Sequence, residues 1–379
     1  MIYAKTRASR YFSLTMTMLF ASAAFLPVSR IAHAKDYTVQ TNGPTSPFSL
    51  SGYAEAYYDF DVNNLVGKKP SFLVSYSKND QLALNLALIK GSYMTNNARA
   101  NLAFAAGSYV TANYAAEPGF LKHVYLANVG IKLSSDKNLW LDAGILPSHI
   151  GFQSPIGKDN WTLTRSISAE NTPYFETGAR ISYTSENEKW YLSAVVVDGW
   201  QRIQPVAGNT TPAFGTQITY KLSPRITLNS STFIGNDKSD SARLMRYFHN
   251  FYGTLKLNDK LTAMVGFDIG TEQKHKNSSG MNTWFNPEIM LRYTPSAKTA
   301  IAARAEYYDD KHGVIIPSST TKGFKILGLS INFDYKIANN ILWRVEARTL
   351  RSNDNIFTRD DGSTSANSIF TTTSLAVSF

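Results

Sequence analysis

Three features of the sequence predict an all-β fold: a transmembrane antiparallel up-and-down β-barrel of about 16 strands, with short periplasmic turns and longer extracellular loops. The first is the closing segment TTTSLAVSF. Ile369, Thr371, Thr373, Leu375, Val377 and Phe379 are apolar or β-branched, while Thr372, Ser374, Ala376 and Ser378 between them are small and mostly polar. In a strand the two sets point to opposite faces. The second is recurrence: such segments run about 10 to 14 residues, near the length that crosses a bilayer as a tilted strand. The third is an unbroken alternation of short and long connections. A soluble sandwich has no reason to keep that order, whereas a membrane barrel has turns on one side and loops on the other.

The front of the chain sets the compartment. Lys5, Arg7 and Arg10 precede the stretch YFSLTMTMLFASAAFLPV and then AHAK, which is a basic start, an apolar run and an A-x-A site. This predicts a secretory signal peptide over 1–34, cleaved after Ala34. The apolar run is too short, and too interrupted by Ser and Thr, for a spanning helix. A short periplasmic segment, 35–47, and the barrel, 48–379, are expected to follow.

The strands are expected at 49–60, 81–94, 98–111, 121–134, 137–147, 173–185, 188–200 and 212–222. They continue at 225–235, 245–257, 260–272, 283–294, 298–310, 323–336, 340–352 and 368–379. TNNA (95–98), SSDKN (134–138), SENE (185–188), LSPR (222–225), LNDK (257–260), TPSAK (294–298) and IANN (337–340) have hairpin-turn chemistry. Between those hairpins lie the longer polar connections 61–80, 112–120, 148–172, 201–211, 236–244, 273–282, 311–322 and 353–367.

Composition narrows the function. Aromatic residues make up 13% of the chain, with 21 Tyr and 21 Phe, yet the mature part has no apolar run of the ~20 residues that a membrane helix needs. A barrel needs none, because only every second residue meets lipid. With no Cys, a disulfide framework, a thiolate metal site and a Cys nucleophile are excluded together. The formal charge of +10 includes Lys5, Arg7, Arg10 and Arg30, so removal of 1–34 leaves 34 basic against 28 acidic residues, or +6. That bias is too small over so large a surface to imply nucleic acid as a partner.

The two faces can be read strand by strand. LNLALIK puts Leu84, Leu86 and Leu88 on one face. Ile341, Trp343, Val345 and Ala347 point outward on one strand, as do Ile301, Ala303, Ala305 and Tyr307 on another. Leu327, Leu329, Ile331, Phe333 and Tyr335 do the same on a third. By the same alternation Glu176, Arg180, Asp268, Glu288, Arg292, Arg304, Glu306, Asp334, Arg344, Glu346 and Arg348 face inward and form the expected pore lining. Arg or Lys on the lipid face at mid-bilayer costs roughly 2–4 kcal/mol, so charges kept to the other face imply an aqueous or ion-paired interior. A water-filled pore would carry a transverse field that filters solutes. A plug of mutual salt bridges would use the same residues without conducting. Tyr57, Tyr58, Tyr183, Trp190, Trp200, Tyr220, Phe285, Tyr307, Tyr308 and Tyr335, near strand ends, suit two interfacial girdles.

Connection 148–172 is the longest. Phe152, Ile156, Trp161, Leu163 and Ile167 make it too apolar to stand free in water, and Asp159 or Asn160 is placed to cap a short helix over 160–168 that carries Arg165. Enzymatic chemistry finds little support. His149 beside Ser148, His312 near Asp309 and Asp310, and His275 sit at expected rim positions, but no G-x-S-x-G or H-E-x-x-H frames them. TRDDGST (358–364) lacks the spaced ligands of a calcium loop, and GKK (67–69) lacks the glycines of a phosphate loop. Neither a cofactor nor a metal is expected.

Several stretches also resemble a known family. LKHVYLANVGIKLSSDKNLWLDAGILPSHIGFQSPIGKDNWTLTRSISAEN, GWQRIQ, FIGNDKSDSARLMRYFHNFYG, FDIGTEQK and the terminal TTTSLAVSF are similar to the "putative beta-barrel porin-2" family of Gram-negative outer membranes, over essentially all of 48–379. The resemblance implies a monomer-sized outer-membrane barrel through which small hydrophilic solutes or ions diffuse passively. Association into a homo-oligomer is compatible with it. A non-conducting barrel acting as adhesin or scaffold through its loops is the alternative. The resemblance also implies that Phe379 is an assembly signal read by the barrel-assembly machinery before the barrel meets outer-membrane lipid. By its position as the third long loop, 148–172 is similar to the porin loop that folds inward, with Asp159, Trp161 and Arg165 as the constriction and Trp161 and Arg165 facing the solute path; a loop packed on the barrel rim is the alternative.

Overall fold

The computed structural model describes residues 46–62, 69–318, 320–359 and 361–379. The signal expected over 1–34, most of the segment 35–47, and Gly67 and Lys68 of GKK lie outside the described residues. All sixteen expected segments form strands, and these close into one barrel. They are β1 (Phe48–Asp61), β2 (Leu82–Met94), β3 (Ala98–Ala106), β4 (Val124–Lys132), β5 (Asn138–Pro147) and β6 (Phe175–Thr184). Next come β7 (Trp190–Val197), β8 (Ala213–Ser223), β9 (Ile226–Asn236), β10 (Met245–Lys256), β11 (Leu261–Gln273) and β12 (Met281–Tyr293). The series ends with β13 (Thr299–Asp310), β14 (Phe324–Ala338), β15 (Ile341–Ser352) and β18 (Asn367–Ser378). Two further strands, β16 (Phe357–Thr358) and β17 (Thr364–Ser365), pair as a hairpin in the last long loop.

Each barrel strand pairs antiparallel with its neighbour in the chain, and the barrel closes where β1 meets β18, from Tyr53 opposite Ser378 to Asp61 opposite Phe370. Beyond β18, Phe379 exchanges two backbone hydrogen bonds with Gly52, of 2.9 and 3.0 Å. Its exposed ring covers Gly52 so closely that a Cβ there would lie 2.3 Å from Cζ. A side chain at Gly52 would push that ring off the strand.

Alternation along β13, β14 and β15 is as expected, with the aliphatic and aromatic set toward lipid and Arg304, Glu306, Asp334, Arg344, Glu346 and Arg348 buried inside. Three expectations are corrected. Leu84, Leu86 and Leu88 do not share a face: the register of β1 with β2 slips beside Asn85, so Leu84 meets lipid while Leu86 is wholly buried. Such a bulge inserts one residue and reverses the parity beyond it. Asn85 is held there by its own side chain, whose Oδ1 accepts from the Tyr76 N–H (3.0 Å) and whose Nδ2 donates to Glu55 (3.0 Å). The girdle loses Tyr57, Tyr308 and Trp200, which are buried inside. Tyr57 and Tyr308 are the inward members of adjacent pairs with Tyr58 and Tyr307, and Trp200 lies past the end of β7, where the chain folds over the mouth. The strand expected over 98–111 stops at Ala106, and α1 (Ser108–Asn113) follows.

The two halves of the interior differ. Toward the long loops it is apolar: Phe72, Val197, Trp200, Phe233, Phe248, Trp284, Phe324 and Phe370 belong to one cluster. Toward the short turns it is polar. There Ser92, Asn101 and Asn128 form a hydrogen-bonded row (2.9 and 3.0 Å), and Gln217 and Thr219 both reach Asn229 (3.2 and 2.7 Å).

Candidate functional site

A loop without regular structure must find partners for its backbone N–H and C=O groups. Loop 148–172 finds them on the inner wall of the barrel. After β5, the His149 carbonyl accepts from Ser231 (2.8 Å) and the Gly151 N–H reaches Asn250 (3.3 Å). Gln153 then donates to Glu288 (3.1 Å). On the far wall Arg344 donates to the carbonyls of Gly157 (2.6 Å), Asn160 (2.9 Å) and Trp161 (3.2 Å), gripping a 3-10 turn over Gly157–Asp159. The N–H groups of Leu163, Thr164 and Ile167 donate to Asn332 (3.0 Å), Glu346 (2.5 Å) and Glu306 (2.6 Å). Arg304 reaches the Thr164 carbonyl (2.7 Å), Arg348 the Arg165 carbonyl (2.9 Å), and Ser168 donates to Asp268. The loop therefore crosses the lumen from β9 to β15.

These contacts correct the expected helix. Residues 161–164 form a bent segment whose backbone is bonded to the wall, so helix forms only as α2 (Ile167–Glu170), where the Ser166 side chain accepts from the Ala169 N–H. Neither Asp159 nor Asn160 caps it. Trp161 and Asp159 are half-buried, and Trp161 packs with Phe152 on Tyr252, Met264 and Met290. Arg165 is buried, 3.3 Å from Glu170 and stacked 4.4 Å over Tyr109 and 4.6 Å over Tyr174. It therefore does not face a solute path, because two tyrosine rings and a carboxylate enclose its guanidinium.

The expected lining residues are all on the inward face, in two settings. Arg304, Glu306, Glu346 and Arg348 form one buried network, with contacts of 3.3 Å (Arg304–Glu306), 3.2 Å (Arg304–Glu346) and 2.5 Å (Arg348–Glu306). Asp268 and Glu288 are buried beneath the loop, and Glu176 holds His149 at 2.7 Å. Arg180, Arg292 and Asp334 lie nearer the short turns. Asp334 pairs with Arg344 (2.6 Å) and lies 3.7 Å from Arg292. Asp142 takes Arg99 in two bonds (2.6 and 2.5 Å) and lies 3.9 Å from Arg180.

A second inward segment was missing from the expectation. The described end of loop 61–80 packs on loop 148–172: Lys69 pairs with Asp59 (2.6 Å), Tyr76 donates to Glu55 (2.9 Å), and Glu170 accepts from the N–H groups of Val74 (2.9 Å) and Ser75 (3.0 Å). Glu55 and Asp59 share the parity of Tyr53 and Tyr57, so alternation along β1 carried that signal. Asp142 and Arg99 were likewise legible by parity; what hid their pairing is Gly130, which stands between them and offers no side chain to block it.

His149 has acceptors on both ring nitrogens, Glu176 at Nδ1 and the Thr232 carbonyl at Nε2 (2.7 Å). Burial pulls its pKa down, but Glu176 and the two hydrogen bonds outweigh that and raise it above the ordinary histidine value. Ser148 donates to Glu176 (2.9 Å) rather than engaging the imidazole, so the trio lacks the serine–histidine contact of a nucleophilic triad.

The profile of the family described as "Putative beta-barrel porin-2, OmpL-like" matches residues 47–379. The chain belongs to that family. Solved structures similar to this porin include OmpT of Vibrio cholerae in its trimer form, with a TM-score of 0.59 at 8% identity over 88% of this chain and 99% of that one. The anion-selective porin of Comamonas acidovorans gives 0.58 at 8% identity, with 88% and 99% covered. The channel DcaP of Acinetobacter baumannii gives 0.56 at 13% identity, with 88% and 97% covered. At such identities these likenesses carry the fold alone. No curated protein matches the chain. Family and fold together make this a porin-type channel barrel.

Proposed function

We propose that this porin lets small hydrophilic solutes and ions diffuse across a Gram-negative outer membrane, with loop 148–172 as the narrow part of the route. One observation carries the reading. The loop is held across the lumen by wall charges rather than by apolar packing alone, and the interior on its short-turn side carries Asn, Gln, Ser and Thr with Arg–Asp clusters, beside a small patch of Tyr252, Met264 and Met290. A polar, charged wall holds water and ions, as the lumen of a pore must. Export by a signal over 1–34, delivery by the barrel-assembly machinery and association of copies in the membrane belong to the same proposal.

A second reading rests on the apolar cluster in the outer half: a barrel closed by its own loops, serving as adhesin or scaffold. Single-channel recording of the purified porin in planar bilayers separates the two. Discrete conductance steps are the expected result, and traces that stay flat at every voltage would remove the channel reading.

A further inference from the structure

We propose that the porin prefers anions, and that Arg180 on β6 and Arg292 on β12 are the groups that meet them. This rests on the channel reading and goes beyond it by naming the charge of the solute.

Most wall charges are already engaged. The wall carboxylates at the level of the loop are buried, and each accepts hydrogen bonds from a loop or from a wall neighbour; Asp159, on the loop itself, is half-buried. Glu306 and Glu346 take backbone N–H groups and arginines, Asp268 takes Ser168 and Asn250, and Glu176 takes Ser148 and His149. A carboxylate so held presents little negative charge to passing solutes. On the short-turn side each inward aspartate has two arginines within 4 Å. Asp142 is bonded to Arg99 and merely near Arg180; Asp334 is bonded to Arg344 and merely near Arg292. Each cluster therefore carries one cation in excess.

Exposure decides which charge the lumen sees. The side chains of Arg180 and Arg292 are 16% and 31% exposed, and that of Arg99 is 17%, against 3% for Asp142 and 7% for Asp334. At 3.9 and 3.7 Å from their aspartates the two outer arginines lie beyond hydrogen-bond reach. Among the described residues neither guanidinium makes a hydrogen bond. Their N–H groups remain for an oxyanion, which a guanidinium can take in paired, parallel bonds. An arginine fixed by a partner on one side and wetted on the other binds an anion weakly enough to release it, which conduction requires.

The test is the reversal potential across a planar bilayer under a potassium chloride gradient, for the wild type, Arg180→Gln, Arg292→Gln and Asp142→Asn. The wild type is expected to pass chloride more readily than potassium. Each arginine variant should lower the anion-to-cation permeability ratio by about twofold, the effect of removing one weakly screened charge beside a narrow path. Asp142→Asn should move it the other way, since it leaves two arginines unopposed. Inorganic phosphate added to the bath should reduce chloride current in the wild type and less so in Arg292→Gln. Arg292, the most exposed of the set, is the variant least able to disturb folding, so it carries the test if Arg180→Gln fails to insert. A wild-type channel that favours potassium, or a ratio unmoved by Arg292→Gln and Asp142→Asn, would overturn the anion assignment while the channel stands. Flat wild-type traces would remove both.

Discussion

With Glu176 on one side and the Thr232 carbonyl on the other, the buried ring of His149 is a donor at both nitrogens only when protonated. Its pKa is raised in the folded state, so the stability it contributes is complete below the unfolded value of about 6.5 and is lost as pH rises through the raised value. Urea unfolding of the wild type and of His149→Gln should therefore differ most at pH 5–6, by about 3 kcal/mol for a buried ion pair broken on one side, and converge at alkaline pH. A difference that grows with pH would contradict the protonated ring. Arg165 makes a different case. Reversing its charge places two carboxylates together beneath Tyr109 and Tyr174, where no water screens them. Arg165→Glu should unseat the contact between the two inward loops, seen as noisier current and faster proteolysis between 148 and 172. The reversal potential should move less than with Arg292→Gln.

At the scale of elements, β18 is held by its partners rather than by its last residue. Phe379 contributes two backbone hydrogen bonds and an exposed ring lying on Gly52. Each such bond is worth roughly 0.5–1.5 kcal/mol net, so its deletion should change unfolding in detergent only slightly. If the residue is read during biogenesis, the same deletion should lower the amount of assembled barrel in cells severalfold, measured by the mobility of unheated samples in gels. Unchanged assembly with a sharp loss of detergent stability would make Phe379 a packing residue only. Loop 148–172 shows where reading elements from sequence stops. Its apolar content told against free solvent, but its path is set by Arg304, Arg344, Arg348, Glu306 and Glu346, between 132 and 200 positions away in a chain where alternation says only which face each occupies. Position-by-position patterning yields a face; it does not say which side chain on that face a distant backbone will choose. Asn85 is the converse. One polar residue satisfied by Tyr76 and Glu55 reverses the parity of β2, and an alternation count has no means of seeing its partners.

For the whole molecule, the strand count, the order and every inward charge named from sequence were legible because lipid outside and water inside impose period two on each crossing. The split of the interior into an apolar outer half and a polar inner half was not, since it depends on loops returning into the barrel. The pairing of β1 with β18 has a further meaning. Every other pair in the ring is joined by a turn or a loop, so this seam is the one place where the barrel is continuous in hydrogen bonds and discontinuous in chain. Where the chain is cut and where the sheet closes are thus independent choices. A circular permutant that links 379 to 48 by a short flexible segment and opens a new pair of ends within 222–225 would keep all sixteen ladders. It would also hand the closing step to β8 and β9, whose register from Phe214 opposite Ile234 would then have to form without the turn that now joins them.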